Sequence, residues 1–143
     1  MIADHITQAT TPPSARTAAA SLAAFLDEYP QLDVSAMHWD VRPNGSVDVV
    51  VNYLTPESGR LVSEMAQALH SKVREQSVET TKGDAVRAFT TDAVFDGTRW
   101  YVRGYLPADA FAYYTRTHNP DPQEWTEAER AEYTALAGQA VAA

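Results

Sequence analysis

The chain has 143 residues and no cysteine, which removes disulfide frameworks, thiolate zinc sites and thiol catalysis together. Lysine is scarce as well: two lysines stand against nine arginines, and 19 acidic residues outweigh 11 basic ones for a formal net charge of −8. A field of that sign repels nucleic acid unless the arginines cluster, so non-specific binding to duplex DNA is disfavoured. No apolar run approaches the ~20 residues that a membrane span requires, and no membrane partner is expected. The first residues carry Asp4 and His5 ahead of any apolar stretch, without the basic flank and apolar core of a secretory signal, so a cytoplasmic location is expected. There is no G-x-S-x-G elbow, no G-x-x-x-x-G-K phosphate loop, no G-x-G-x-x-G and no H-E-x-x-H helix. These absences point to a protein that is not an enzyme and holds neither metal nor cofactor.

What is present is the core of one domain. Of the residues counted as 45% hydrophobic, 24 are alanine, which leaves the larger aliphatics, methionine and the aromatics to fill the interior. Met1 to Pro13 is Thr-rich, buries nothing and reads as a loose arm. From Ser14 onward, Ala18, Leu22, Phe25, Leu26 and Tyr29 recur at helical spacing until Pro30 closes the segment. Val34 to Val41 alternates Met37, Trp39 and Val41 against Ala36, His38 and Asp40; after turn residues from Arg42 to Ser46, Val47, Val49, Val51 and Tyr53 alternate again, which predicts a hairpin. Thr55 and Pro56 open a second helix whose apolar side is Leu61, Val62, Met65, Ala66, Leu69 and Val73, ending near Glu75.

Three further strands are predicted, over Ser77 to Thr81, Ala85 to Phe95 and Thr98 to Leu106, with turns at Lys82 to Asp84 and Asp96-Gly97; they form a meander. Ala108 to Arg116 suits a short helix. Asp121, Pro122 and Glu124 read as the N-cap, first position and third position of a C-terminal helix that carries Trp125, Ala128 and Leu136. The whole predicts an α+β fold: a single antiparallel sheet of about five strands, with helices one and two on one face. It divides the chain into an arm over residues 1–13, a core over 14–118 and an acidic helical segment over 119–143.

Three sets of residues carry candidate chemistry. The acidic C-terminal helix offers Trp125 as a docking anchor beside Glu129, Glu132 and the nearby Tyr113, which suits a non-enzymatic protein that binds another protein. Arg99, Tyr101, Arg103 and Tyr105 alternate onto one face of the last strand, and Arg87, Phe89 and Thr91 onto one face of the strand before it. Cations and aromatics on a shared face bind single-stranded nucleic acid, so Arg87, Arg99, Tyr101 and Arg103 form the alternative site, with Val86, Ala88, Trp100 and Val102 packing on the helices. His38 and Asp40 lie two residues apart on one strand face, a spacing that suits a base and its orienter or two metal ligands. Neither His70 nor His118 is fixed near them, so a ligand pocket or enzyme is the last alternative and a solvent-facing strand the simpler account. Gly104 interrupts the last strand, where a β-bulge is expected over a close backbone approach. A homodimer through sheet edges or helices is compatible with the pattern.

The run ARTAAASLAAFLDEYPQL, followed by HWDVRPNGSVDVVV, resembles small proteins without an assigned activity from high-GC actinobacteria and their phages or integrated elements. The likeness rests on an Ala-rich helix closed by a Tyr-Pro step, a Trp-bearing strand and an Asn-Gly hairpin. It implies an accessory protein of a phage or mobile element and carries over no site residue. In element order the chain is also similar to the type III secretion chaperones, with two strands in place of three before the central helix.

Overall fold

The computed structural model describes residues 13–51 and 54–142. In chain order these form α1 (Ala15–Glu28), β1 (Met37–Val41), β2 (Ser46–Val51), α2 (Glu57–Ala68), β3 (Arg74–Glu79), β4 (Ala85–Phe95), β5 (Thr98–Pro107), α3 (Ala110–Thr117) and α4 (Glu127–Ala142). Residues 1–12 of the expected arm and Tyr53 of the expected hairpin lie outside the described residues. Among the described residues no helix is long and apolar enough to cross a membrane.

The fold is α+β with one open five-stranded sheet in the order β1-β2-β5-β4-β3. It is mixed rather than purely antiparallel, because β2 pairs with β5 in parallel, Ser46 beside Arg99 and Val50 beside Arg103. The connection through α2 is the cause. A helical crossover returns the chain to the end of the sheet it came from, so β3 runs in the direction of β2, and two hairpin reversals then give β5 that same direction. The hairpin and the meander are both present; their relative direction is what the expectation of an antiparallel sheet missed.

α1 begins where its cap dictates: the Ser14 hydroxyl accepts from the Thr17 N–H at 3.3 Å while Thr17 Oγ1 accepts from the Ser14 N–H at 3.0 Å. α2 stops at Ala68, well before the expected Glu75. His70 takes the left-handed conformation at φ 54°, and the Ser71 N–H reaches Ala66 C=O at 2.9 Å while the His70 N–H reaches Gln67 C=O at 3.2 Å. These two bonds close a Schellman cap, and the usual glycine at its left-handed position is replaced by histidine. Val73 is therefore off the helix and exposed, and β3 starts at Arg74. At the other end of the chain, Asp121 and Pro122 cap only a short 3-10 turn over Pro122–Glu124, and α4 itself starts at Glu127.

Phe25 of α1 and Leu61, Val62 and Met65 of α2 join Val47, Val49, Val51, Trp100, Val102 and Leu106 of the sheet in one buried cluster. Gly104 sits under this contact. A Cβ there would lie 2.5 Å from Val51 Cγ2, 2.9 Å from Val62 Cγ2 and 3.1 Å from Ser58 O. The β4–β5 register runs without interruption from Val86–Pro107 to Phe95–Thr98, so the expected bulge is absent from this strand pair and the glycine serves the close approach of α2. Trp125 and Leu136 belong to the same buried cluster, which places the C-terminal segment against the core.

Candidate functional site

The register decides which candidate residues share a face. The two-residue turn pairs Phe95 with Thr98, so odd-numbered residues of β4 lie beside even-numbered residues of β5. Arg87 is opposite Leu106 and Phe89 is opposite Gly104, on the face of Trp100 and Val102. Arg87 thus stands on the other side of the sheet from Arg99, Tyr101 and Arg103, where it ion-pairs with Glu75 and lies 5.7 Å over the Phe89 ring. The four-residue nucleic-acid set is split. Val86 and Ala88, expected beside Trp100, instead lie beside Pro107 and Tyr105.

Arg99, Tyr101 and Arg103 do share a face, together with Val94, Asp92 and Thr90 of β4 and Ser46, Asp48 and Val50 of β2. At its centre is Asp48, a buried carboxylate within a run of valines. Arg42 reaches it from the β1–β2 turn at 2.5 Å, and Arg103 from β5 at 3.7 Å. The second guanidinium is therefore held in place by an acid that sequence reasoning passed over; the signal was an aspartate amid Val47, Val49, Val50 and Val51 with an arginine across the turn. Among the described residues the buried Arg103 Nε has no hydrogen-bond partner. Arg74 pairs with Asp92 at 3.1 Å. Arg99 differs from these neighbours: among the described residues it has no carboxylate partner, and it lies 6.0 Å over the Tyr101 ring. Beside the pair is a shallow hollow of about 330 Å³ lined by Asn44, Ser46, Val94, Gly97, Arg99 and Tyr101 among others.

The remaining candidates are placed elsewhere. Trp125 is buried: its Nε1 donates to Asn119 C=O at 2.6 Å, and its ring meets Tyr114 at 5.0 Å and Tyr133 at 5.2 Å. The docking anchor is thus occupied by its own chain. Glu129 caps α4, Glu132 is exposed, and Tyr113 is half-buried with Arg116 6.0 Å over its ring. His118 stacks on Tyr114 at 3.9 Å.

His38 is exposed, and among the described residues no hydrogen bond joins it to Asp40, whose nearest cation is Arg42 at 3.6 Å. His70 is exposed at the end of α2. No group of three metal-ligating side chains occurs among the described residues. A hollow of about 440 Å³ lies between the β3–β4 turn and α3, bounded by Asp84, Val86, Pro107, Tyr113 and Arg116, and neither His38 nor Asp40 lines it. Set against family models, curated proteins and solved structures, the chain has no match.

Proposed function

We propose that the chain is a non-enzymatic, cytoplasmic binding protein that engages another protein through the sheet face bearing Arg99, Tyr101 and Val94. One observation carries the reading. Val94 is 64% and Tyr101 37% exposed, and they adjoin an arginine with no carboxylate partner among the described residues. Tyrosine and arginine supply a disproportionate share of the energy at protein interfaces, where apolar surface and an unpaired cation are covered together. The reading takes α1 and α2 as gathered over the Trp100 face, which leaves this face to a partner. An accessory role in a phage or mobile element rests on resemblance alone and adds no residue.

Single-stranded nucleic acid is the second reading, favoured by the cation over the Tyr101 ring. It is weaker, because Arg103 is shared with Asp48 and Arg87 lies on the opposite face.

The test is capture from an extract of the source organism by wild type, Arg99→Glu and Tyr101→Ala, with thermal stability measured alongside. A partner retained by wild type and lost roughly tenfold or more in the variants, at unchanged stability, supports the reading. Capture that ignores both substitutions overturns it. Binding of a labelled single-stranded oligonucleotide, with a steep salt slope that flattens in Arg99→Glu, would establish nucleic acid as the partner instead.

A further inference from the structure

Among the described residues the sheet has two open edges, β1 and β3. Their backbone hydrogen-bonding alternates, so one bond of each ladder fixes which residues turn outward. The Arg42 N–H donates to Ser46 C=O at 2.9 Å, which makes Arg42–Ser46, Asp40–Asp48 and His38–Val50 the bonded pairs of the β1–β2 ladder. Met37, Trp39 and Val41 therefore present their backbone groups to the open edge, apart from the Met37 N–H, which donates to Val34 C=O. Trp39 and Val41 are only partly buried and add apolar surface beside it.

The sequence across this edge is self-complementary. An antiparallel copy related by a two-fold axis at Trp39 sets Trp39 opposite the partner's Trp39, Met37 opposite the partner's Val41, and His38 opposite the partner's Asp40, twice over. The outward groups then supply four backbone bonds: Trp39 with the partner's Trp39 in both directions, and each Val41 N–H to the other chain's Met37 C=O. His38 and the partner's Asp40 fall at a non-hydrogen-bonded pair, where side chains on neighbouring strands come closest. Asp40 has a reason to receive a hydrogen-bond donor. It lies directly across the ladder from Asp48, a like-charge pairing that costs stability, and while Asp48 has Arg42 at 2.5 Å, Asp40 has that same guanidinium only at 3.6 Å.

The opposite edge does not offer this. The Thr80 N–H donates to Asp84 C=O at 2.8 Å, so Glu75, Ser77 and Glu79 turn outward on β3. Self-pairing about Ser77 sets Glu75 against the partner's Glu79, and self-pairing about Gln76 brings no opposite charges together. Acidic residues on an edge strand are a recognised guard against such pairing.

We infer that β1 is the interface to a second copy of this chain, which joins the two sheets into one continuous sheet about the two-fold axis at Trp39. The test is sedimentation velocity across a concentration series for wild type, His38→Asp, Asp40→His and the double swap His38→Asp/Asp40→His. All of the substitutions fall at exposed side chains, and circular dichroism checks that each variant folds. Wild type dimerises, and each single variant weakens the dimer by about tenfold because like groups now face each other twice. The double swap restores it, and an equimolar mixture of the two single variants forms heterodimers, seen by native mass spectrometry, since each then meets its complement. Glu79→Lys on the other edge leaves the dimer unchanged. A wild-type monomer at the highest soluble concentration overturns the inference, as do single variants that dimerise like wild type or a double swap that rescues nothing.

Discussion

Trp100 and Trp125 are both buried and both spend the indole N–H on an oxygen, yet they tie together very different lengths of chain. Trp100 Nε1 donates to Ser21 Oγ at 3.0 Å across 79 residues, and Ser21 in turn donates to Phe95 C=O at 3.0 Å across 74. Its ring meets Phe25 at 4.6 Å, Phe95 at 6.0 Å and Trp39 at 6.1 Å, so α1, β1, β4 and β5 converge on one indole. Trp125 works locally. Its N–H goes to Asn119, and its ring neighbours are Phe111, Tyr114 and Tyr133, all within the last third of the chain. A cluster closed by long-range contacts opens only with the whole domain, whereas one closed by near neighbours can open as a unit of its own. Burial alone does not distinguish the two.

The largest expected effect lies at the long-range cluster. Trp100→Ala removes a fully buried ring and the indole donor to Ser21 Oγ, for a loss of about 3–5 kcal/mol in global stability. Against a typical domain stability of about 5–15 kcal/mol, that brings the protein near unfolding. Urea denaturation followed by far-ultraviolet circular dichroism measures it. A variant with an unchanged midpoint would show that the sheet and α1 are held together elsewhere.

Trp125→Ala sharpens the comparison. Truncating a buried tryptophan would cost as much here, but the global loss is capped at the free energy for opening α4 on its own, so we expect about 2 kcal/mol or less. Hydrogen exchange should rise across residues 119–138 while the β5 amides keep their protection. Equal losses for the two variants, with β5 exchanging alongside α4, would show that the buried cluster shared by the two indoles opens as one cooperative unit.

The same contrast explains what the sequence disclosed. α1 was legible because Leu22, Phe25, Leu26 and Tyr29 recur at helical spacing and Pro30 follows them, and the hairpins because Gly45 and Gly97 sit at φ 87° and 76° in their turns. Local chemistry is written locally. The end of α2 was hidden because histidine occupies the left-handed position where glycine would have announced a stop. The parallel β2–β5 pairing joins strands far apart in sequence, and no residue in either encodes the other's direction.

The misplacement of Arg87 is instructive in another way, since the two-residue Asp96-Gly97 turn already obliges odd-numbered residues of β4 to share a face with even-numbered residues of β5. Trp125 could be recognised as an anchor, but periodicity does not say whose surface it anchors to. The density of aromatics from Phe111 to Tyr133 was the available sign that it closes on its own chain.

The smallest expected effect is a pH dependence confined to the local cluster. The Glu129 carboxylate accepts from the Thr126 N–H at 3.1 Å, and Thr126 Oγ1 accepts from the Glu129 N–H at 3.2 Å, a capping box that starts α4. The Thr126 N–H first and the Thr126 hydroxyl second hold the Glu129 carboxyl below its ordinary 4.5, with the nearby His118 charge acting in the same direction. A depressed folded value means that the cap contributes fully above 4.5 and that its contribution is lost as pH falls through the lower folded value. Tyr114 bounds the other side: burial, then the charges of Glu132 and Glu129, raise its phenol above 10, so its contribution is complete below 10 and is lost as pH rises through the folded value. The rings and hydroxyl gathered on Trp100, from Ser21, Phe25, Trp39 and Phe95, carry no group that titrates in the acid range. Lowering the pH from 6 toward about 3.5 should therefore reduce hydrogen-exchange protection, taken relative to the intrinsic rate at each pH, in the first turns of α4 before it touches β5, and Glu129→Gln should flatten that response. If β5 and α4 respond to acid together, or if Glu129→Gln leaves the profile as it was, the cap does not set the acid limit of the C-terminal unit.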